Sequence, residues 1–119
     1  MPLFHAHNFP PNVEVIAEGA QGNAVFFIAS GHVRRRTASS DHSYRSGDVF
    51  GGTGALGGGL HSATYVTAGR CRLLKLYQED FKRLEMAAPV VAGRIRAAVA
   101  RHHVLEAKQE EADRGVQDA

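Results

Sequence analysis

The chain has 119 residues, of which 44% are hydrophobic and 22% charged, and its formal net charge is +2. This length and balance predict one globular domain with one core, and they exclude the strongly basic composition of a nucleic-acid-binding tail. The single cysteine, Cys71, excludes an internal disulfide and favours a reducing compartment. No apolar run approaches the ~20 residues that span a bilayer, and the first residues do not resemble a secretory signal.

The first dozen residues are predicted to be extended and to lead into the first strand, because Pro10 and Pro11 forbid helix there. His5 and His7 have the His-x-His spacing of a cupin metal site, and cupins are double-sheet proteins. However, no nearby glutamate and no matching later motif accompany them. We therefore interpret this segment as a disordered terminus and predict no metal site.

Short β-rich segments separated by turns then continue to residue 76. The predicted strands are Val13–Ala17, Ala24–Ser30, His32–Ala38, Ser43–Ser46, Ser62–Ala68 and Arg70–Leu76. The second and third of these are predicted to pair as a hairpin around Gly31. Many short strands at this spacing are typical of a sandwich, a jelly roll or a barrel.

The segment between residues 47 and 64 is the most informative part of the chain. Seven of the 13 glycines fall between Gly47 and Gly59. Glycine loses much conformational freedom on ordering, so folded proteins concentrate it where the backbone needs a positive φ or approaches a ligand closely. Backbone N–H groups in such a loop can converge on an anion. The segment predicts a phosphate or anion cradle, with a flexible surface loop as the alternative.

After residue 76 the hydrophobic period changes from that of a strand to that of a helix. Phe81 and Leu84 predict a short helix over Gln78–Ala87, and Pro89 suits the first turn of a second helix that reaches about Glu110. The apolar stripe of that second helix consists of Val91, Ile95, Ala98, His102 and Leu105. The predicted order is roughly eight short strands, six of which are given bounds above, followed by two helices.

These features together resemble the cyclic nucleotide-binding domain of bacterial catabolite activators, protein kinase A regulatory subunits and cyclic-nucleotide-gated channels. The resemblance extends roughly from Phe9 to Leu105. Residues 16–28 look like the family's first hairpin, and residues 30–33 like its next turn and strand. The implied fold is mainly β with α: an eight-stranded β-roll (a jelly-roll-like double-stranded β-helix) followed by two C-terminal helices. Residues 1–110 would form this single domain, and residues 111–119 a polar tail.

The resemblance identifies the glycine-rich segment as the family's phosphate-binding cassette, which runs Phe-Gly-Glu, then small and apolar residues, then Arg-Ser/Thr-Ala. In the family the Glu accepts a hydrogen bond from the ribose 2′-hydroxyl, and the Arg pairs with the phosphate. Here Gly52 stands at the Glu position and His61 at the Arg position. A histidine is mostly neutral at pH 7, so we expect the two changes to weaken affinity by about a hundredfold or more.

The ligand-binding residues implied by the resemblance lie in the cassette and on the last helix. The cassette residues are Phe50, Gly51, Gly52, Thr53, Gly54, Ala55, His61, Ser62, Ala63 and Thr64. Ile95 and His102 are implied as a lid, because the family's last helix covers the nucleotide. Binding is expected to close the cassette and the terminal helices, with a hinge near residues 87–89.

Three further features have other interpretations. In the run Arg34-Arg35-Arg36, Arg35 points away from the face of its neighbours. We interpret the run as a solvated strand, with a face toward a phosphate or an acidic neighbour as the alternative. Cys71 is interpreted as a small core residue. No nucleophile, base and orienting acid come together in the sequence, so we do not predict an enzyme.

The function implied is a regulatory domain that binds cAMP or cGMP and needs no cofactor. The favoured context is the cytoplasmic C-terminal sensor of a bacterial ion channel or ion/proton exchanger, because a polar tail follows the last helix. Such a domain would meet a membrane only through its parent protein and would have no nucleic-acid partner, and a homo-oligomer is compatible with it. One alternative is a degenerate domain that serves assembly without binding nucleotide. Another is the sensor fragment of a transcription regulator.

Overall fold

The structure is a computed structural model that describes residues 3–52 and 59–102. Within these ranges, two four-stranded antiparallel sheets precede the helices. The strands are β1 (Phe4–Phe9), β2 (Glu14–Ile16), β3 (Ala24–Ser30), β4 (His32–Arg36), β5 (Asp41–Arg45), β6 (Val49–Phe50), β7 (Thr64–Thr67) and β8 (Cys71–Tyr77). One sheet has the order β1-β8-β3-β6 and the other β2-β7-β4-β5. The predicted β-roll is confirmed.

The inner faces of the two sheets meet in one hydrophobic core, because residues along each strand alternate between inside and outside. At its centre lies a column of three aromatic rings. Phe26 stacks on Phe50 with the ring centroids 5.2 Å apart, and Phe50 stacks on Tyr65 at 4.9 Å. Since β6 and β7 belong to different sheets, the contact between Phe50 and Tyr65 joins the two layers.

The chain crosses from one sheet to the other at Gly31, so the predicted hairpin of β3 with β4 is wrong. β3 pairs with β6 and β8, whereas β4 pairs with β5 and β7. Gly31 has a φ of 96°, and a Cβ there would lie 2.5 Å from the carbonyl oxygen of Arg70. Residues 16–28 also do not form a hairpin, because β2 pairs with β7. Local pattern locates such strands but does not tell which sheet each one joins.

The expected disordered terminus is wrong, because Phe4–Phe9 forms the edge strand β1. It pairs with β8 along its whole length, from Phe4 opposite Leu76 to Phe9 opposite Cys71. The four central residues of β1 are exposed, so the strand shows no hydrophobic alternation in the sequence. In the part of the chain that the structure describes, no three His, Cys, Asp or Glu residues group as metal ligands would.

Two helices follow the strands and pack on β8. The first, α1 (Gln78–Ala87), lies where it was predicted. Ala88 then interrupts the helix with a φ of −146° and a ψ of 72°, and α2 begins at residue 89 and is described to residue 102. The predicted continuation to Glu110 and the tail at 111–119 lie outside the described residues. The helices share a buried cluster with β8, made of Leu76, Phe81, Leu84, Ala92 and Ile95. Among the described residues, no helix is both long and apolar enough to cross a membrane.

Replacing Gly31 with alanine is expected to destabilise the fold more than the same change at Gly47. Both glycines have a positive φ, 96° and 92°, which costs an L-residue about 1–2 kcal/mol. A Cβ at Gly47 meets nothing within 4 Å, whereas a Cβ at Gly31 would overlap the Arg70 carbonyl. In urea unfolding, the free energy of unfolding should therefore fall by more than about 2 kcal/mol for Gly31→Ala, and by less for Gly47→Ala. Equal losses in the two variants would contradict the close approach of Gly31 to the Arg70 carbonyl.

Candidate functional site

The aromatic core brings the two ends of the glycine-rich loop together. Phe50 lies immediately before Gly51, and Tyr65 follows the predicted binding residues at the other end of the loop. The two rings lie at an angle of 21° to each other, and both residues are buried. The loop is therefore closed by a rigid contact at its base. The predicted residues Thr53, Gly54 and Ala55 lie outside the described residues.

The second end of the loop is also held by the turn between β2 and β3. The N–H of Gly19 donates to the carbonyl oxygen of His61 over 2.8 Å, and the N–H of His61 donates to the carbonyl oxygen of Ala20 over 2.8 Å. The N–H of Gly22 likewise donates to the carbonyl oxygen of Gly59 over 3.1 Å. Backbone hydrogen bonds thus fix the position of His61 independently of any ligand.

The side chain of His61 is buried, and its surroundings disfavour the charged form of the imidazole. The residue is 7% exposed, and its ring lies 6.5 Å from the ring of Tyr65. Burial lowers the pKa of His61 from 6.5, because desolvation disfavours the imidazolium. The residue at the family's arginine position is therefore mainly neutral at pH 7.

The next three predicted residues differ in exposure. Ser62 is exposed, Ala63 is fully buried and Thr64 is partly buried. The hydroxyl oxygen of Thr64 accepts a hydrogen bond from the N–H of Glu18 over 3.1 Å, so the fold itself uses this group. Of these residues, Ser62 is the one whose side chain a ligand can reach from solvent.

Arg35 lies inside the roll, so the solvated-strand interpretation is wrong for this residue. It is 1% exposed, whereas Arg34 and Arg36 are exposed on the outer face and lie 3.3 Å and 3.6 Å from Asp41. The Nη2 of Arg35 donates to the hydroxyl oxygen of Ser62 over 3.4 Å. The alternation along the strand did indicate that Arg35 faces away from its neighbours. Which face is inside depends on sheet packing, which the local sequence does not show.

Helix α2 lies across the start of the loop. A Cβ on Gly52 would lie 2.5 Å from Cγ2 of Val99, so only glycine permits this approach. Val99 also packs beside Val25 and Val49, which anchors α2 to the strand that leads into the loop. A glutamate at position 52, as in the family pattern, would displace α2 from this position.

The two residues predicted to form a lid have different surroundings. Ile95 is buried among the residues that hold α1 and α2 on β8. The ring of His102 lies 5.4 Å from that of Tyr44, and its Nε2 is 3.8 Å from Oδ1 of Asp48. Tyr44 in turn lies 6.4 Å from Phe50. His102 thus contacts the core that closes the loop, and the lid role of both residues stays a prediction.

A cavity of about 470 Å³ lies away from the loop, beside β1, β8 and the end of β3. Asn8, Ser30 and Arg72 are among its lining residues, and none of the residues that line it was predicted to bind a ligand. The loop has the more specific chemistry for binding a ligand, because the buried guanidinium of Arg35 lies there beside the exposed hydroxyl of Ser62. The loop therefore remains the candidate site.

Replacing His61 with glutamine is expected to reduce the loss of stability in acid. The folded-state pKa of His61 lies below its unfolded value of 6.5, so the unfolded chain binds the proton more tightly. The contribution of neutral His61 to the free energy of unfolding is fully present above pH 6.5, and it is lost as the pH falls through the folded-state pKa. Thermal unfolding of wild type and His61→Gln from pH 7.5 to 5 measures it. Parallel stability curves for the two proteins would contradict the buried, neutral imidazole.

Replacing Gly52 with alanine is expected to loosen α2, because the new methyl group would overlap Val99. Gly93 offers a matched control, since a Cβ there meets nothing within 4 Å and alanine should stabilise the helix by about 1 kcal/mol. Hydrogen exchange of residues 89–102 should accelerate in Gly52→Ala and not in Gly93→Ala. Adding Val99→Ala to Gly52→Ala should restore part of the protection. Unchanged exchange in Gly52→Ala would contradict the close approach.

Comparisons with known proteins match most of the chain. The family model described as "Cyclic nucleotide-binding domain" matches residues 6–87. The cyclic AMP receptor protein of Thermus thermophilus is 30% identical over 107 residues, which cover 85% of this chain and 50% of that protein. The crystal structure of the Thermus thermophilus catabolite activator protein is similar with a TM-score of 0.73 and 28% identity, over 97% of this chain and 54% of that one. The chain thus spans about half the length of these relatives.

Two further solved structures share the fold. The structure of PKAR CBD2 bound to Sp-2Cl-cAMPS gives a TM-score of 0.72 with 22% identity, over 91% of this chain and 68% of that one. A structure from work on a cyclic-GMP-dependent signalling pathway in bacterial phytopathogenesis gives a TM-score of 0.75 with 24% identity, over 83% of this chain and 84% of that one. At such identities the likeness concerns the fold alone.

Proposed function

Because the chain belongs to the cyclic nucleotide-binding domain family, we propose that it binds cAMP or cGMP at the glycine-rich loop and acts as a regulatory domain through α2. The observation that carries the proposal is the closed base of the loop. The rings of Phe50 and Tyr65 stack at the two ends of the loop, and at its second end the hydroxyl of Ser62 lies beside the buried guanidinium of Arg35. An exposed hydroxyl next to a buried cation suits a phosphate better than a neutral ligand.

In this proposal the cyclic phosphate lies at the end of the loop. The hydroxyl of Ser62 and the backbone N–H of Ala63 donate to its oxygens, in keeping with the match of residues 62–64 to the end of the family's cassette. Gly52 has no side chain to accept a hydrogen bond from the ribose hydroxyl. The nucleotide is therefore held mainly through its phosphate and through packing.

The contact between Gly52 and Val99 provides the link from ligand to helix. A nucleotide that changes the conformation of the loop also changes the surface on which Val99 rests. The break at Ala88 separates α2 from α1, so α2 has a place at which to move. The ligand biases the position of α2 only as far as its affinities for the two positions differ.

The context of the domain is part of the proposal. The sequence and structure matches from Thermus thermophilus favour the sensor of a regulator of the catabolite-activator kind, which is one of the alternatives from the sequence. They give no support to the channel or exchanger context. A cytoplasmic location agrees with the single, buried cysteine, Cys71, because a chain with one cysteine does not rely on internal disulfides for its stability.

An assembly domain that binds no nucleotide is the competing function. Gly52 and the neutral His61 favour it, because each removes a polar contact that the family pattern makes with the ligand. The buried Arg35 beside Ser62 favours nucleotide binding, because it places a positive charge within reach of an anion bound at this end of the loop.

Calorimetric titration with cAMP and cGMP, using 5′-AMP as the matched open-chain control, distinguishes these functions. We expect heat from at least one cyclic nucleotide and weaker binding of 5′-AMP. Hydrogen exchange across residues 89–102 should also change on saturation with that nucleotide. No heat with either cyclic nucleotide at millimolar concentration would contradict the proposed function, and binding without any change in α2 would contradict the proposed link.

A further inference from the structure

We propose that Arg35, on β4, makes the cationic contact to the cyclic phosphate that the family pattern assigns to an arginine within the loop. The inference rests on the proposed function and names the residue that makes the phosphate site charged. It also implies that the ligand must be an anion, since a neutral nucleoside would leave this contact unused.

The position of Arg35 on the sheet directs its side chain to the loop. Arg35 lies opposite Tyr65 in the pairing of β4 with β7, and Tyr65 comes three residues after Ser62. The side chain points inward and its Nη2 reaches within 3.4 Å of the Ser62 hydroxyl oxygen. A phosphate oxygen that accepts a hydrogen bond from Ser62 would therefore lie within reach of the guanidinium. The planar fork of arginine suits two such oxygens at once.

The charge of Arg35 is permanent, which separates it from His61. A guanidinium stays protonated in proteins, whereas the buried imidazole is neutral at pH 7. Arg35 is 1% exposed, and hydrogen bonds are stronger where bulk water is excluded. A cyclic phosphate that accepts a hydrogen bond from the exposed Ser62 hydroxyl would therefore meet the charge of Arg35 in a setting that strengthens the contact.

The neighbours of Arg35 provide a matched control. Arg36 is on the same strand and carries the same charge, but it lies on the outer face at 3.6 Å from Asp41. Any effect of net charge alone on an anionic ligand should therefore appear equally in Arg35→Met and Arg36→Met. An effect confined to Arg35 must come from the inner face of the roll.

Calorimetry with cAMP and cGMP on wild type, Arg35→Met, Arg35→Lys and Arg36→Met tests the inference. We expect Arg35→Met to weaken binding about 10- to 100-fold, as loss of a charged hydrogen bond does. Arg35→Lys keeps the charge without the fork and should bind with intermediate affinity. Arg36→Met should bind within about twofold of wild type, because screened surface charge contributes little. Equal affinities of Arg35→Met and Arg36→Met would overturn the inference.

A second measurement needs no change at Arg35. In the wild-type protein, the Nε–Hε resonance of Arg35 should shift on saturation with the cyclic nucleotide that binds and should shift less with adenosine, which lacks the phosphate. An unmoved resonance at saturation would overturn the inference even if Arg35→Met fails to fold. Absence of any nucleotide binding by wild type would instead contradict the proposed function, and the role of Arg35 in it would fall with it.

Discussion

The stacking of Phe50 on Tyr65 is the contact on which both the fold and the site depend. It joins the sheet containing β6 to the sheet containing β7, and it does so at the two ends of the glycine-rich loop. Aromatic pairs of this kind contribute about 0.5–1.5 kcal/mol beyond the area they bury. Phe26 extends the stack into β3, and Tyr44 extends it toward α2 through His102. Core packing, loop closure and the position of the terminal helix therefore share one set of rings.

The loop departs from its family's pattern in a way that the structure explains physically. Gly52 has no side chain to accept a hydrogen bond from the ribose hydroxyl, and the same lack of a side chain allows Val99 to pack against the start of the loop. His61 gives up the charge, and its backbone and buried ring instead fix the end of the loop. The positive charge beside Ser62 comes from the neighbouring strand, at Arg35. In the proposed site, the cationic contact to the phosphate therefore comes from a different place in the sequence than in the family pattern.

Much of the fold could be predicted from the sequence where hydrophobic pattern is strong, as for β3 and for α1 with Phe81 and Leu84. β1 was missed because its central residues are exposed on an edge strand and carry no alternation. The hairpin at Gly31 was wrong because adjacent strands of a roll can enter different sheets, a property of long-range pairing. The interpretation of Arg35 as part of a solvated strand failed for a similar reason. Side chains alternate along a strand, so the sequence shows that Arg35 and Arg34 lie on opposite faces, but only the packing of the sheets decides which face is buried.

The proposed cyclic-phosphate site lies between Ser62 and the buried guanidinium of Arg35. A crystal structure of the chain with a bound cyclic nucleotide tests this most directly. We expect a phosphate oxygen about 2.7–3.1 Å from a guanidinium nitrogen of Arg35, with another oxygen hydrogen-bonded to the hydroxyl of Ser62. A bound nucleotide whose phosphate is held by His61 or by the loop backbone, with the guanidinium of Arg35 beyond hydrogen-bond distance, would contradict it.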